Sequence, residues 1–552
     1  MPAFKLAEFS GIAPKIGATE LGDNQAQIAR NVRLQSKEMR TWKGATLVYT
    51  PTTNNVETIY RFAGPPEITP IWLEWDSDVD VAVGPVADTG EYRLYFTSDG
   101  FAPRKTNYAM ASGNNAGVAP YPNAWYELGV PAPTGAPSLS VVQGTASVVE
   151  TRSYVYTHVT EFGVVAEESA PSPAAIIDAS YSGSAVTLSG FSTPPTGNYN
   201  FQYRRIYRSV VGATSLTFQL VAEIPIAQSS YVDTKEATEI GGVLPSLYYT
   251  PPPAGLKGLV SMPNGMMAGF VGNQIWFCEP YLPHAWPEIY TMTTEYPIVG
   301  LGVMGNSLFV GTTQNPYLVS GGTPLSMSQE KLPMTQPCVS KRSIVSDQYG
   351  LLYASPNGLV AIEQGTQDVA TKALYTREEW QLLNPSSMIG ALYNDMYFGF
   401  YKVGADYDAI VVRREDNPPL SNFSAAAKGA FIDQLTGTLY IIASDNKVYA
   451  LDSNAASPPI FQWKSKKFTM PKPTNFASLQ VHADYTQMIG GRYVTIKTYA
   501  DGVLVSTVSP TSIRPYRLPA GFLADEWEIE VIGNVPVSSI GIATSNREMA
   551  GF

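Results

Sequence analysis

The sequence predicts an all-β protein: a β-propeller of about six or seven blades, interrupted by an immunoglobulin- or fibronectin-like sandwich, with a C-terminal β-sandwich and a short N-terminal helical arm. Three observations lead there. The 552 residues are 44% hydrophobic but only 15% charged, and they include 43 Pro, 46 Gly and 33 Tyr, a profile of short strands joined by turns. Turn pairs recur at Gly272-Asn273, Gly305-Asn306, Tyr349-Gly350, Asn394-Asp395 and Thr436-Gly437, a period of roughly 40 residues with a central hairpin, which is the repeat of propeller blades. Pro-rich borders, "GVPAPTGAPSLSVV" and "YYTPPPAGLKG", bracket a stretch of different texture, as the edges of an inserted domain do.

Taken in order, residues 1–50 read as an arm with one short amphipathic helix, because Leu21, Ile28 and Val32 fall at helical spacing. Residues 51–128 carry the first propeller part, in the β runs "VETIYRF", "TPIWLEW", "VDVAVGP" and "EYRLYFTSDG". Residues 129–252 form the inserted sandwich, with strands in "RSYVYTHVTEFGVVAEESAPSP", "SAVTLSGF", "NFQYRRIYRSV" and "LTFQLVAEIP". The remaining blades occupy 253–455, in strings such as "MMAGFVGNQIWFC", "MIGALYNDMYFGFY" and "TGTLYIIASDNKVYALD". One helix interrupts them, starting at the capping box Thr376 to Glu379 and leading into Trp380. In 456–552, "RYVTIKTYADGVLVSTV" folds back over Asp501-Gly502, and Trp527, Ile529 and Val531 alternate inward, which makes a closing sandwich.

The net charge of -11 and pI near 5.0 argue against a protein that grips nucleic acid, since phosphate affinity needs clustered Lys and Arg. An acidic wall would instead let a polyanion slide past. Charge is uneven: residues 1–46 hold Lys5, Lys15, Arg30, Arg33, Lys37, Arg40 and Lys43 against Glu8, Glu20, Asp23 and Glu38, so the rest of the chain is the acidic part. "YRRIYRS" places Tyr203, Arg205 and Tyr207 on one strand face and Arg204, Ile206 and Arg208 on the other, which splits its cations rather than pooling them. No signal-peptide core and no long apolar run occurs, so the expectation is a soluble chain made in a cytosol, without a membrane span.

No catalytic, cofactor-binding or metal-ligating residue is predicted. "GLGVMG" (Gly300 to Gly305) fits the dinucleotide fingerprint, but Asn306-Ser307 and "LFVGTT" follow it, so it reads as a hairpin and not as a phosphate loop opening a helix. "DSDVD" begins like a calcium loop, yet Val81 stands where Gly is needed and Ala87 where a bidentate Glu is needed. His158, His284 and His482 lie on separate segments, and Cys278 and Cys338 lack metal spacing and read as two buried thiols. "NFS" at Asn422 is a glycan acceptor pattern without a secretory context. The aromatic loop Cys278 to Tyr290, "CEPYLPHAWPEIY", either packs between blades or stacks on a partner.

Taken together, several strings resemble one family. They are "FSGIAPKIGATELGDNQAQIARNVRLQSKEMRTWKG", "RLYFTSDGFAPRKTN", "THVTEFGVVAEESAPSP", "RIYRSVVG", "WFCEPYLPHAWP", "LFVGTTQNPYLVSG", "YASPNGLVAI" and "RLPAGFLADEWEIEVIGNVPVSSIGIATS". The chain resembles the tail nozzle proteins of short-tailed bacteriophages, also called tail tubular protein B or tail hub. The resemblance implies a non-enzymatic virion part, assembled in the host cytoplasm. It implies a homo-oligomeric ring, six copies in members of the family, below the portal and adaptor rings. Tail fibres or spikes are its neighbours, and genomic DNA leaves through its lumen without sequence-specific binding. On this reading the basic first 46 residues are an arm that pairs with an acidic face of a neighbour or of the adaptor. The competing expectations are a host-glycan-binding adhesin or a propeller-type glycan-cleaving enzyme of the tail tip, the latter needing a carboxylate pair that does not stand out in the sequence.

Overall fold

A computed structural model describes residues 3–85, 90–211, 216–347, 350–363, 366–413, 419–453 and 458–551. Tyr349 of the expected turn, Ala87 of the acidic loop and the expected boundary at 455/456 lie outside the described residues. The chain is nearly all β and contains propeller blades. It divides into two compact units: Tyr60–Val310 with Tyr317–Lys331, and Met1–Ile59 with Gly311–Pro316 and Leu332–Phe552.

In the first of these units, three four-stranded sheets have the blade form. One is built from Val79–Val83, Arg93–Ser98, Phe101–Asn107 and Tyr126–Glu127. The second comprises Lys257–Ser261, Met267–Val271, Gln274–Phe277 and Met292–Thr293, and the third Ile298–Met304, Ser307–Thr312, Tyr317–Ser320 and Ser328–Lys331. Gly272 and Gly305 take φ of +60° and +56° at the hairpin turns, a conformation that costs Gly little and other residues more. Between the first and second blades lies a sandwich. Its small sheet holds Ser138–Val142, Ala185–Ser189 and Ser230–Asp233; its large sheet holds Val165–Glu168, Val149–Phe162, Phe201–Val211 and Leu216–Pro225, with Ala175–Ser180 also on Val149–Phe162. Tyr154, Tyr156, Val186, Leu188, Ile206 and Val221 from both sheets share one core.

Among the described residues of the other unit, three more sheets have the blade form. They are Val345–Ser346, Gly350–Ser355, Gly358–Glu363 and Thr366–Val369; Ile389–Tyr393, Met396–Val403, Asp406–Arg413 and Leu420–Phe423; and Ala427–Asp433, Thr438–Ala443 and Val448–Ser453, completed by Gly44–Tyr49 from the start of the chain. Asn394 and Asp395 both take positive φ, as do Asp501 and Gly502, the backbone that two-residue hairpin turns demand. The capping box forms as expected: the Glu379 N–H donates to Thr376 Oγ1 at 3.2 Å, and the Thr376 N–H donates to Glu379 Oε2 at 2.8 Å. It starts the helix Arg377–Leu382, which buries Trp380 and points that indole N–H at the Ser355 carbonyl, 2.8 Å away. Thr376→Ala is expected to lower stability by about 1 kcal/mol in urea unfolding, the usual cost of a lost cap.

The N-terminal helical arm is corrected. Within residues 3–50 the chain forms strands that belong to the body of their unit. Ala3–Ala7 pairs antiparallel with Val537–Ala543, Ala26–Arg30 pairs antiparallel with Phe461–Ser465, and Gly44–Tyr49 pairs with Val448–Ser453. Arg30 also meets Asn422 in a parallel register, so one ten-stranded sheet runs from the Ile389–Phe423 blade through Ala26–Arg30 into the closing sandwich. Three apolar positions at helical spacing were a weak period, and strand pairing overrides it: Leu21 and Val32 are buried while Ile28 faces out. The closing sandwich itself forms around Trp463, Val494, Ile496, Trp527, Ile529, Val531, Ile540 and Ile542, with Leu6, Phe9 and Ile12 of the N-terminal strands in the same core.

Candidate functional site: buried ionic clusters and a basic cleft

The residues singled out in the sequence take structural posts. Ser307 begins a strand, so no helix N-terminus faces Gly300–Gly305 and the dinucleotide motif has no phosphate cradle. Asp80 lies inside the strand Val79–Val83, with its carboxylate accepting the Gly258 N–H at 2.8 Å. Asn422 sits in the strand Leu420–Phe423. Cys278 and Cys338 are free, buried thiols, both pushed up to about 12 by burial, which removes thiolate reactivity at neutral pH. In the aromatic loop, Cys278 and Trp286 are buried in one core with Tyr95, Leu128, Phe162, Leu259 and Met267 of the same unit. Trp286 spends its indole N–H on the Pro283 carbonyl at 2.8 Å, and Tyr281 alone of the loop's aromatics is largely exposed.

The strongest polar constellation was missed from sequence. Lys105, on a blade strand, makes a buried ion pair with Glu167, on the sandwich strand Val165–Glu168; each side chain is 3% exposed. His284 of the aromatic loop brings Nδ1 to 4.0 Å from Glu167 Oε1, and Thr160 Oγ1 donates to the same carboxylate at 3.4 Å. Burial by itself would push the Glu167 carboxyl up, but Lys105, with His284 and Arg93, outweighs it and holds the group below the usual carboxylate range.

The adjacent Glu168 points into a second set. It accepts from Arg205 Nη1 at 2.8 Å, from the Tyr207 hydroxyl at 2.6 Å and from Thr157 Oγ1 at 2.7 Å. Arg205 and Tyr207 thus share a face, as the alternation in "YRRIYRS" implies. On the opposite face Arg208 donates to Asp233 at 2.7 Å, with the Tyr154 hydroxyl on the same oxygen at 2.8 Å. Each of these carboxylates is paired with a cation and hydrogen-bonded within its unit.

His158 and His284 are buried, and burial is the main force pushing each imidazole down to about 4. In the unfolded chain they would protonate near pH 6.5, in the folded chain only near 4. Their contribution is therefore whole above 6.5 and drains away as pH falls from 6.5 through 4, at about 1.4 kcal/mol per pH unit for each histidine. Urea unfolding at pH 7, 5.5 and 4.5 is expected to show this loss, with a shallower slope in His158→Gln.

The remaining candidate feature is a cleft of about 470 Å³ lined by Arg33, Arg40, Thr41, Trp42, Lys43 and Arg492 among other residues. A tight hairpin builds it, Val32–Arg33 pairing with Arg40–Thr41. Among the described residues no group of three or more His, Cys, Asp and Glu is placed to hold a metal, and no helix is long and apolar enough to cross a membrane.

No protein-family model matches the chain, and no curated protein matches it. Hsv2 of Kluyvelomyces marxianus is 9% identical over 52% of this chain and 89% of its own, with a TM-score of 0.26. BBS1N, solved with ARL6DN, is 9% identical over 75% of this chain and 98% of its own, TM-score 0.30. PorZ, a surface component of the type-IX secretion system of Porphyromonas gingivalis, is 11% identical over 87% and 69%, TM-score 0.26. At these values the likenesses carry nothing about function.

Proposed function

We propose that this chain is a structural subunit of the tail nozzle of a short-tailed bacteriophage. In this reading several copies, six by the family's pattern, close a ring through heterologous contacts below the portal and adaptor, tail fibres or spikes flank it, and DNA passes through the lumen. The observation that carries the reading is how the buried charges are spent. Glu167, Glu168 and Asp233 are each held by a cation and a hydroxyl, fixing blade to sandwich and strand to strand rather than waiting for a substrate. The ten-stranded sheet adds a continuous stiff wall to the other unit. The strings that resemble the family run along nearly the whole chain. An acidic wall suits a conduit because it repels a polyanion weakly instead of trapping it.

Mixed with the adaptor ring of its own phage, the chain should cosediment in a fixed stoichiometry. Alone it should neither depolymerise host surface polysaccharide nor adhere to host cells. Cleavage would favour the glycan enzyme and adhesion would favour the adhesin; either would overturn the nozzle.

A further inference from the structure

The geometry points to an anion-binding site in the cleft built by the Val32–Thr41 hairpin, for a ligand that presents two or more oxyanion groups, phosphate or carboxylate. The cleft is about 470 Å³, within the size range of small-ligand sites, and its lining includes Arg33, Arg40, Lys43 and Arg492 but no carboxylate. Two of these cations have counter-ions just outside the lining: Arg33 reaches Asp452 at 3.4 Å and Arg40 reaches Glu38 at 2.7 Å. The other two do not. Arg492 donates to the neutral amide oxygen of Gln487 at 3.1 Å, and among the described residues no carboxylate pairs with the Lys43 ammonium.

Asp452 is already engaged with other donors: it accepts the Lys43 backbone N–H at 2.8 Å, Arg33 at 3.4 Å and the Tyr393 hydroxyl at 3.3 Å. That leaves the Lys43 and Arg492 charges uncompensated at the cleft, and an anion between them would offset their repulsion while making charge-assisted hydrogen bonds.

An independent observation supports a ligand here. Trp42 lines the cleft, is 1% exposed, and its indole N–H has no hydrogen-bond partner. Its ring is fixed by edge contacts with Phe398 and Phe423 and by the Arg33 guanidinium, 5.1 Å from its centroid. A buried donor without an acceptor is costly, and the proposal assigns its acceptor to a ligand oxygen. A planar Arg set beside an aromatic donor is suited to carboxylate or phosphate, which accept in pairs. The site lies on an acidic protein, so it is a local exception to the field of the chain and selects for a short anion rather than for a nucleic-acid backbone.

The test is titration calorimetry on the full chain at low salt, with inorganic tripolyphosphate in one arm and a tetraglutamate peptide in the other. One saturable site per chain is expected in at least one arm, which also tells phosphate from carboxylate, and the affinity should fall as salt rises. Lys43→Gln and Arg492→Gln should each weaken it by about tenfold, the loss of one charge-assisted bond. Lys402→Gln, on an exposed strand end away from the cleft, should leave it unchanged. Trp42→Phe also alters core packing, so its loss of affinity is read only alongside an unchanged unfolding midpoint. No saturable binding in either arm, or binding that both cleft variants retain at full strength, would overturn the site. The titration does not depend on the chain being a nozzle.

Discussion

Replacing Lys105 with methionine destabilises the unit that contains it by about 3–5 kcal/mol, because it strands the Glu167 carboxylate in a site with almost no water. The pair is buried on both sides, and the remaining partners of Glu167 are a neutral histidine and a hydroxyl at the limit of hydrogen bonding. A surface ion pair lost in the same way would cost under about 1 kcal/mol, so the magnitude separates a pin from an ornament. The double change Lys105→Met with Glu167→Leu removes both charges and should recover most of the loss. Urea unfolding followed by tryptophan fluorescence reads both; a single variant within about 0.5 kcal/mol of the parent would refute the pin.

Removal of residues 1–50 abolishes folding of the unit they belong to. The expected arm would have come off cleanly. The observed strands take with them the outer strand of the Ala427–Ser453 blade and two strands of the closing sandwich, and they withdraw Leu6, Phe9, Leu21, Val32, Met39 and Trp42 from buried positions. Each large side chain lost from a core costs about 2–5 kcal/mol, against a total stability of roughly 5–15 kcal/mol for a typical domain. Expression with circular dichroism and limited proteolysis checks this. A soluble, protease-resistant truncated chain with a native sheet signal would show that the N-terminal strands are dispensable.

The same segment shows where the sequence is legible and where it is not. Hairpins announced themselves because the signal is local: Gly305-Asn306 and Asp501-Gly502 need positive φ, and the residues that supply it sit beside the strands they join. The capping box from Thr376 to Glu379 is equally local. The alternation of "YRRIYRS" was readable as two faces, and the structure assigns one to Glu168 and the other to Asp233.

What could not be read is pairing over distance. Arg30 finds Asp408 and the strand Ala26–Arg30 finds Phe461–Ser465, and nothing near Ile28 in the chain says so; its apolar neighbours happen to fall at helical intervals. The Lys105–Glu167 pair was hidden for the same reason, since each residue alone reads as a solvated charge. Adjacent glutamates in "VVAEESAP" were the only hint, because two carboxylates inside an apolar strand string require cations from elsewhere. The basic count of residues 1–46 was correct as a sum but misleading as an arm: Arg30, Arg33, Lys37 and Arg40 each pair with a carboxylate of the same unit.

The central claim is that copies of this chain enclose a passage. Electron microscopy of the purified protein, alone and with the adaptor ring that the proposal pairs it with, tests it most directly. The account predicts closed rings of one copy number whose central hole admits duplex DNA. Particles that stay single at every concentration and bind no adaptor, or a lone chain that holds or cleaves a glycan, would contradict it.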